Sequence, residues 1–285
     1  MATFWNWWQQ LPANLDPVLF QIGSFRVQYY GLMYIVAFGL TYCLVLWRVR
    51  HEQRFDLSTE QIQNSLTALI IGVIIGGRLG YVFFYNFSYY LAHPLEIFLP
   101  FRFANGLTFT GISGMSYHGG LIGVAVAAWW HCRRAGLALR DLADLYAPAV
   151  PLGYTFGRIG NFINGELFGR TTTVPWGMVF PQAPDPYLRH PSQLYEAFFE
   201  GILLFAVLWC LRTRVSLRGG MLPLYLAGYG GVRFVLEYFR QPDAHLGAVF
   251  LGFSMGQVLC LGMVLAGLAI WVFLRRRASA EPLRR

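Results

Sequence analysis

Lysine is absent from this 285-residue chain, and all 22 basic residues are arginine. Charge of either sign is scarce. Asp, Glu, Lys and Arg make up 13% of the chain, about half the share found in soluble domains. That shortage excludes an ordinary water-facing surface. Cysteine is nearly missing too: Cys43, Cys132, Cys210 and Cys260 lie within or at the ends of apolar runs, and none falls in an outer loop. A disulfide framework is therefore excluded, and the four are expected to act as small core hydrophobes. The opening stretch MATFWNWWQQLPANLDPVLF lacks a basic region followed by an apolar core, so it does not read as a cleaved signal. Its tryptophans point to an interfacial segment. Metal-ligand spacing, a phosphate-cradling P-loop, a GxSxG elbow, internal repeats and low-complexity tracts are all missing. The net charge of +8 would suit nucleic acid, but the arginines flank hydrophobic runs instead of forming a stripe, which excludes that partner.

What is abundant is apolar surface, with 56% hydrophobic and 17% aromatic residues. Seven stretches are candidates for membrane-spanning helices, which need about 20 mostly apolar residues: 29–47, 65–85, 117–132, 142–160, 194–211, 221–239 and 250–274. The third is short, and Asp144, Pro148 and Pro151 interrupt the fourth. With the N-terminus outside, the inner loops and tail hold fourteen arginines and the outer segments five, leaving Arg78, Arg158 and Arg233 within spans. The excess of inner arginines orients the chain with its N-terminus out and its C-terminus in. The expected fold is all-α, a single membrane-embedded domain over 1–285 with a basic inner tail at 278–285. Two long outer segments, 86–116 and 161–193, are expected to lie in the headgroup zone.

Several groups of residues are not explained by packing. An ionisable group inside a span costs at least about 2.5–3.5 kcal/mol at the helix centre, yet Arg78, Arg158 and Arg233 all sit toward the outer side. Snorkelling or an ion pair is one reading; an anion site for a phospholipid headgroup is the other, because guanidinium binds phosphate oxygens bidentately. Glu237 follows Arg233 by four residues on the same helix face, and Arg240 and Asp243 continue the polar cluster outward. His118 opens the third candidate span beside Gly119, Gly120 and Gly123; it is either an interfacial hydrogen-bonder or a group suited to proton transfer near neutral pH. Tyr29 and Tyr30 open the first span, where aromatic-belt anchoring also accounts for them. The richest stretch is GRIGNFINGELFGR, residues 157–170, which leaves the membrane carrying Arg158, Asn161, Asn164, Glu166 and Arg170 among glycines. HPSQLYEAFFEG, residues 190–201, re-enters with Ser192, Gln193, Tyr195 and Glu196.

These motifs, with YYGLMY at 29–34, GRLGYVFFYN at 77–86, GMSYHGGLIG at 114–123 and GYGGVRFVLEYFRQPD at 228–243, resemble the prolipoprotein diacylglyceryl transferase family in order over nearly the whole chain. The resemblance implies seven helices and no cofactor. The reaction it implies moves diacylglyceryl from phosphatidylglycerol to the lipobox cysteine thiol of a preprolipoprotein signal peptide in the bacterial inner membrane. It implies Arg158 as the lipid-phosphate ligand and Arg233 as stabiliser of charge on the leaving group. His118 is the first candidate base, with an arginine-lowered thiol pKa as the alternative. Tyr30 is placed with the catalytic set; Asn161, Glu166, Gly169, Tyr229, Glu237 and Arg78 are placed in substrate binding. Two departures from the family pattern stand out: Ser113 precedes Gly114 where a glycine pair is expected, and Phe168 stands where tryptophan is common. The rival class, a transporter with anion-binding arginines, would favour broken helices near the midplane and paired repeats, which the sequence lacks. A non-catalytic scaffold would leave the glycine-rich arginine segment unexplained.

Overall fold

The computed structural model describes residues 2–23, 25–99, 101–102, 108–109, 114–241, 248–250 and 252–280; Ser113, Asp243 and the last five residues of the tail lie outside these. The architecture is helical: α1 (Ala2–Gln9), α2 (Tyr29–His51), α3 (Thr59–Tyr85), α4 (Phe87–Ala92), α5 (Tyr117–Ala135), α6 (Leu139–Tyr146) and α7 (Val150–Ile163) come first. There follow α8 (Ser192–Glu196), a π-helical segment (Ala197–Leu203) and α9 (Leu204–Leu211), which form one continuous rod, then α10 (Met221–Leu236) and α11 (Met255–Ala280). Short two-stranded ribbons, β1–β2 (Val18–Ile22, Phe25–Gln28), β3–β4 (Phe101–Arg102, Thr108–Phe109) and β5–β6 (Ala248–Phe250, Phe253–Ser254), lie between helices. Among the described residues four helices are long and apolar enough to cross a membrane: Tyr29–His51, Thr59–Tyr85, Ser192–Leu211 and Met255–Ala280, with Met221–Leu236 a shorter apolar helix. This is an all-α membrane protein.

The chain forms two compact units, one of Met1–Gln21, Arg26–Val45 and Ala143–Arg285, the other of Ile22–Phe25 and Leu46–Leu142. In the second unit, α3 begins with a capping box: Ser58 Oγ accepts from Gln61 N at 3.1 Å, and Gln61 Oε1 accepts from Ser58 N at 2.9 Å. Its C-terminal half then packs on α5 through facing glycines. A Cβ added to Gly76 would lie 2.6 Å from Gly123 Cα, and one on Gly80 would lie 2.7 Å from Gly119 Cα. Without side chains at these positions the two backbones come into direct contact, the usual device where no aqueous hydrophobic effect drives helices together. At the C-terminal end of α2 Arg48 is fully buried, paired with Glu52 at 2.8 Å and lying over the Phe55 ring at 5.0 Å.

In the first unit, the polar residues that interrupt the fourth stretch have a structural cause. The chain there is two helices, α6 and α7, joined by a turn at 147–149. Asp144, wholly buried, accepts from Gly219 N at 2.6 Å and Met221 N at 2.8 Å, so it caps the start of α10. A carboxylate there satisfies amides that the helix leaves unpaired and meets the positive end of its dipole. Ala147, Leu204, Leu208, Met221 and Tyr229 form the core between these helices. A second core, Phe162, Met178 and Phe180, underlies the 161–193 segment. Tryptophans of α1 dock on that segment: Trp8 Nε1 donates to Trp176 O at 2.9 Å. Of the cysteines, Cys132 and Cys260 are buried as expected, whereas Cys43 and Cys210 are exposed on apolar helices, because those helices turn that face away from the protein.

Replacing Gly123 with Val will force the α3 and α5 backbones apart, with a cost of about 3 kcal/mol, read as a lowered melting temperature in detergent. Gly39, whose added Cβ would meet open space, is the control: Gly39→Ala will leave the melting temperature unchanged or raise it.

Candidate active site

Three separate elements of the first unit deliver charge to one buried carboxylate. Arg158, two turns into α7, places Nε 3.0 Å from Glu196 Oε2; Arg233, in the last turn of α10, places Nη1 3.2 Å from the same oxygen. Glu196 ends α8 and its side chain is 1% exposed. One turn further on, in the π-helical segment, Glu200 receives Arg233 Nη1 at 3.4 Å and is capped by the Tyr154 hydroxyl, which itself accepts from Arg158 Nε at 2.6 Å. Glu237 closes the set from the other side, 3.2 Å from Arg233 Nη2. Arg240 Nε stands 3.8 Å from Glu196 Oε1 and 3.9 Å from Glu237 Oε2. Three guanidiniums thus meet three carboxylates. A charge alone in an apolar surround is costly, and each of these side chains has a partner of opposite sign.

A second network continues outward from Arg158. Its Nη1 donates to Asn161 Oδ1 at 3.3 Å, and Asn161 Nδ2 donates to Glu166 Oε1 at 2.9 Å. Tyr30 lies against α7 at Gly160, where an added Cβ would stand 3.0 Å from its ring; its hydroxyl is 3.0 Å from that of Tyr34, with the Asn161 amide beside it. Tyr229 sets its ring edge-on to Tyr154 at 5.8 Å. The chain then turns sharply at Gly165 and Leu167, both at positive φ (69° and 59°). A side chain in that region is uncommon. Here it is held from both ends, by Gln193 Nε2 on Glu166 O at 2.6 Å and Ser192 Oγ on Leu167 O at 3.0 Å.

Gly169 shows why the motif needs glycine. Its N–H donates to His190 O at 2.9 Å, it bridges to Arg240, and an added Cβ would meet Phe239 O and, at 2.7 Å, His190 O. Arg189, 4% exposed, locks the same crossing: it donates to Gly169 O at 3.3 Å, Gln241 Oε1 at 3.2 Å and Asp185 Oδ2 at 2.6 Å. Its guanidinium lies over Phe168 at 5.1 Å, so that phenylalanine supplies an aromatic face to the crossing.

Of the residues singled out by sequence, Arg158, Arg233, Tyr30, Asn161, Glu166, Gly169, Tyr229 and Glu237 belong to this unit, while His118 and Arg78 belong to the other. His118 is exposed in the first turn of α5, just after Ser116, whose hydroxyl caps that helix. Arg78 donates to backbone carbonyls, Ile97 O at 2.7 Å and Glu96 O at 2.5 Å, under the Tyr90 ring at 4.9 Å. Sequence reading passed over Tyr154 and Glu200. The available signal was Glu200 itself, an acid in an apolar run and one turn after Glu196.

The fold and this centre define a class: a helical membrane protein with a buried arginine–glutamate cluster. The profile of the prolipoprotein diacylglyceryl transferase family matches residues 17–273, and the chain belongs to that family. It is 52% identical over 98% of its length to the phosphatidylglycerol–prolipoprotein diacylglyceryl transferase of Chlorobaculum tepidum, covering 96% of that protein. The identically named proteins of Paracidovorax citrulli and Legionella pneumophila are 45% and 43% identical over 93% and 90% of the chain, and 98% and 96% of their own lengths are covered.

Two outcomes follow from the outer segment. Gly169→Ala will cost about 2–3 kcal/mol by forcing the crossing apart, read as a lower melting temperature. Burial pushes the His190 imidazole below its usual value of 6.5. The unfolded chain therefore binds that proton more readily than the folded one. The contribution of His190 to stability is complete above about pH 6.5 and falls as pH drops below it; melting curves from pH 7.5 to 5 will show a loss that is smaller in His190→Gln.

Proposed function

We propose that this enzyme transfers diacylglyceryl from phosphatidylglycerol to the lipobox cysteine of preprolipoproteins, with Arg158 and Arg233 holding the lipid phosphate. The observation that carries this reading is the convergence of both guanidiniums on one buried carboxylate oxygen, within a chain of this family. Fixed cationic donors aimed at a single point are what a phosphodiester requires. The cysteine sulfur forms a bond to the glyceryl carbon while the C–O bond to phosphate breaks. Glycerol phosphate departs with the bonding pair and gains one negative charge, which Arg233 stabilises. The thiol gives up its proton before or during attack; His118 is the candidate base that the sequence offers, and an arginine-lowered thiol pKa, which needs no strong base, is the alternative. Tyr30, Asn161 and Glu166 keep Arg158 oriented, Glu237 keeps Arg233 oriented, and Tyr229 packs behind Tyr154. Gly169 lets the outer strand cross under Arg240. Arg78 acts as a brace of the 86–116 segment, since carbonyls take its donors.

The same reading places all seven apolar stretches across the bacterial inner membrane, N-terminus outward, supported by the arginine excess in the inner loops. It treats the two compact units as one transferase domain, in line with a family match that runs through both.

With purified protein, phosphatidylglycerol and a lipobox peptide, the peptide will gain a diacylglyceryl mass as glycerol phosphate appears. Arg158→Ala and Arg233→Ala will each lower turnover by about 100-fold or more, and lysine at either position will restore only part of it, because it lacks the planar fork. No transfer by folded wild type would sink the assignment.

A further inference from the structure

Buried oxygens near the arginine cluster want a donor. Gln193 Oε1 and Glu196 Oε1 are each buried without a hydrogen-bond partner, whereas Glu237 Oε2 is ion-paired with Arg233 Nη2 at 3.2 Å. Gln193 and Glu196 are 0% and 1% exposed and lie three residues apart on one helix face. The Gln193 amide is not reversed, because its nitrogen already donates to Glu166 O at 2.6 Å. Arg240 Nε approaches Glu196 Oε1 and Glu237 Oε2 at 3.8 and 3.9 Å, too far for hydrogen bonds. Buried acceptors are nearly always satisfied, so two on one helix face, Gln193 Oε1 and Glu196 Oε1, point to a ligand group that donates.

The substrate offers few such groups. Phosphodiester and acyl ester oxygens only accept. A thiol donates weakly, and as thiolate it would be repelled by two carboxylates. The free hydroxyls of the glycerol headgroup both donate and are tethered to the phosphate. We infer that Glu196, with Gln193 and Glu237, is the specificity-determining residue that accepts hydrogen bonds from the headgroup hydroxyls of phosphatidylglycerol. This rests on the proposed phosphate site, because the arginines that would hold the phosphate border the same carboxylates. A headgroup hydroxyl would stand where the part-exposed Arg240 side chain now borders the two acid oxygens.

The test compares kcat/KM for phosphatidylglycerol and for phosphatidylpropanol with the same acyl chains, whose headgroup has no hydroxyl. Wild type will favour phosphatidylglycerol by about 100-fold, as expected of a site built to bond a hydroxyl. Glu196→Gln, checked for folding by its melting curve, will shrink that ratio to within about 5-fold. A wild-type ratio near one overturns the inference. So does a ratio unchanged in Glu196→Gln, including the case where both lipids slow equally, which would make Glu196 only a support for the arginines. If Glu196→Gln does not fold, Gln193→Leu serves in its place, and an unchanged ratio there is equally fatal. Arg158→Ala separates the two readings: undiminished turnover on both lipids removes the phosphate site, whatever the headgroup ratio shows.

Discussion

The Glu196 carboxylate, shared between Arg158 and Arg233, is the interaction on which the first unit depends. Ions taken out of water persist only with close partners, so α7, the α8–α9 rod and α10 must each arrive in a set position. Their packing supplies that. Asp144 fixes where α10 starts, Gly201 lets the π-helical segment meet Thr155 of α7, and Tyr154 joins the Arg158 and Glu200 ends of the cluster. A π-helical turn is uncommon and tends to mark functional sites; here it begins one residue after Glu196 and includes Glu200.

The outer segment extends this order by backbone contacts more than by side-chain bulk. Left-handed Leu167 and side-chainless Gly169 let the strand turn and then cross beneath residues 239 and 240. Arg189 holds the crossing with three hydrogen bonds, and the Phe162–Met178–Phe180 core lies beneath it. A conformation as unfavourable as that of Leu167 endures because its neighbours fix it from both sides.

The second unit uses a different principle. Its helices meet along glycines, without large side chains, and Arg78 gathers the carbonyls of the segment that follows α3. His118 begins the partner helix of that seam, so its position is set by the same contact that joins α3 to α5.

The sequence by itself determined the class of environment and the positions of the helices. Apolar length, the scarcity of charge and the all-arginine basic set follow from solvation by lipid, which acts on each segment separately and is therefore readable locally. Local rules also reached the Arg233–Glu237 pair, one helical turn apart, and the glycine-rich Arg158 motif. Only the tertiary structure decided which charges meet. Arg158 and Glu196 are 38 positions apart in the chain, and Arg233 and Glu200 are 33 apart, so no periodicity links them. It also showed Asp144 to be a helix cap for residues more than 70 positions away, and Arg78 to be occupied by carbonyls. The physical reason is the same in each case. A buried charge selects its partner through the space left by packing, and that space exists only once several helices have come together.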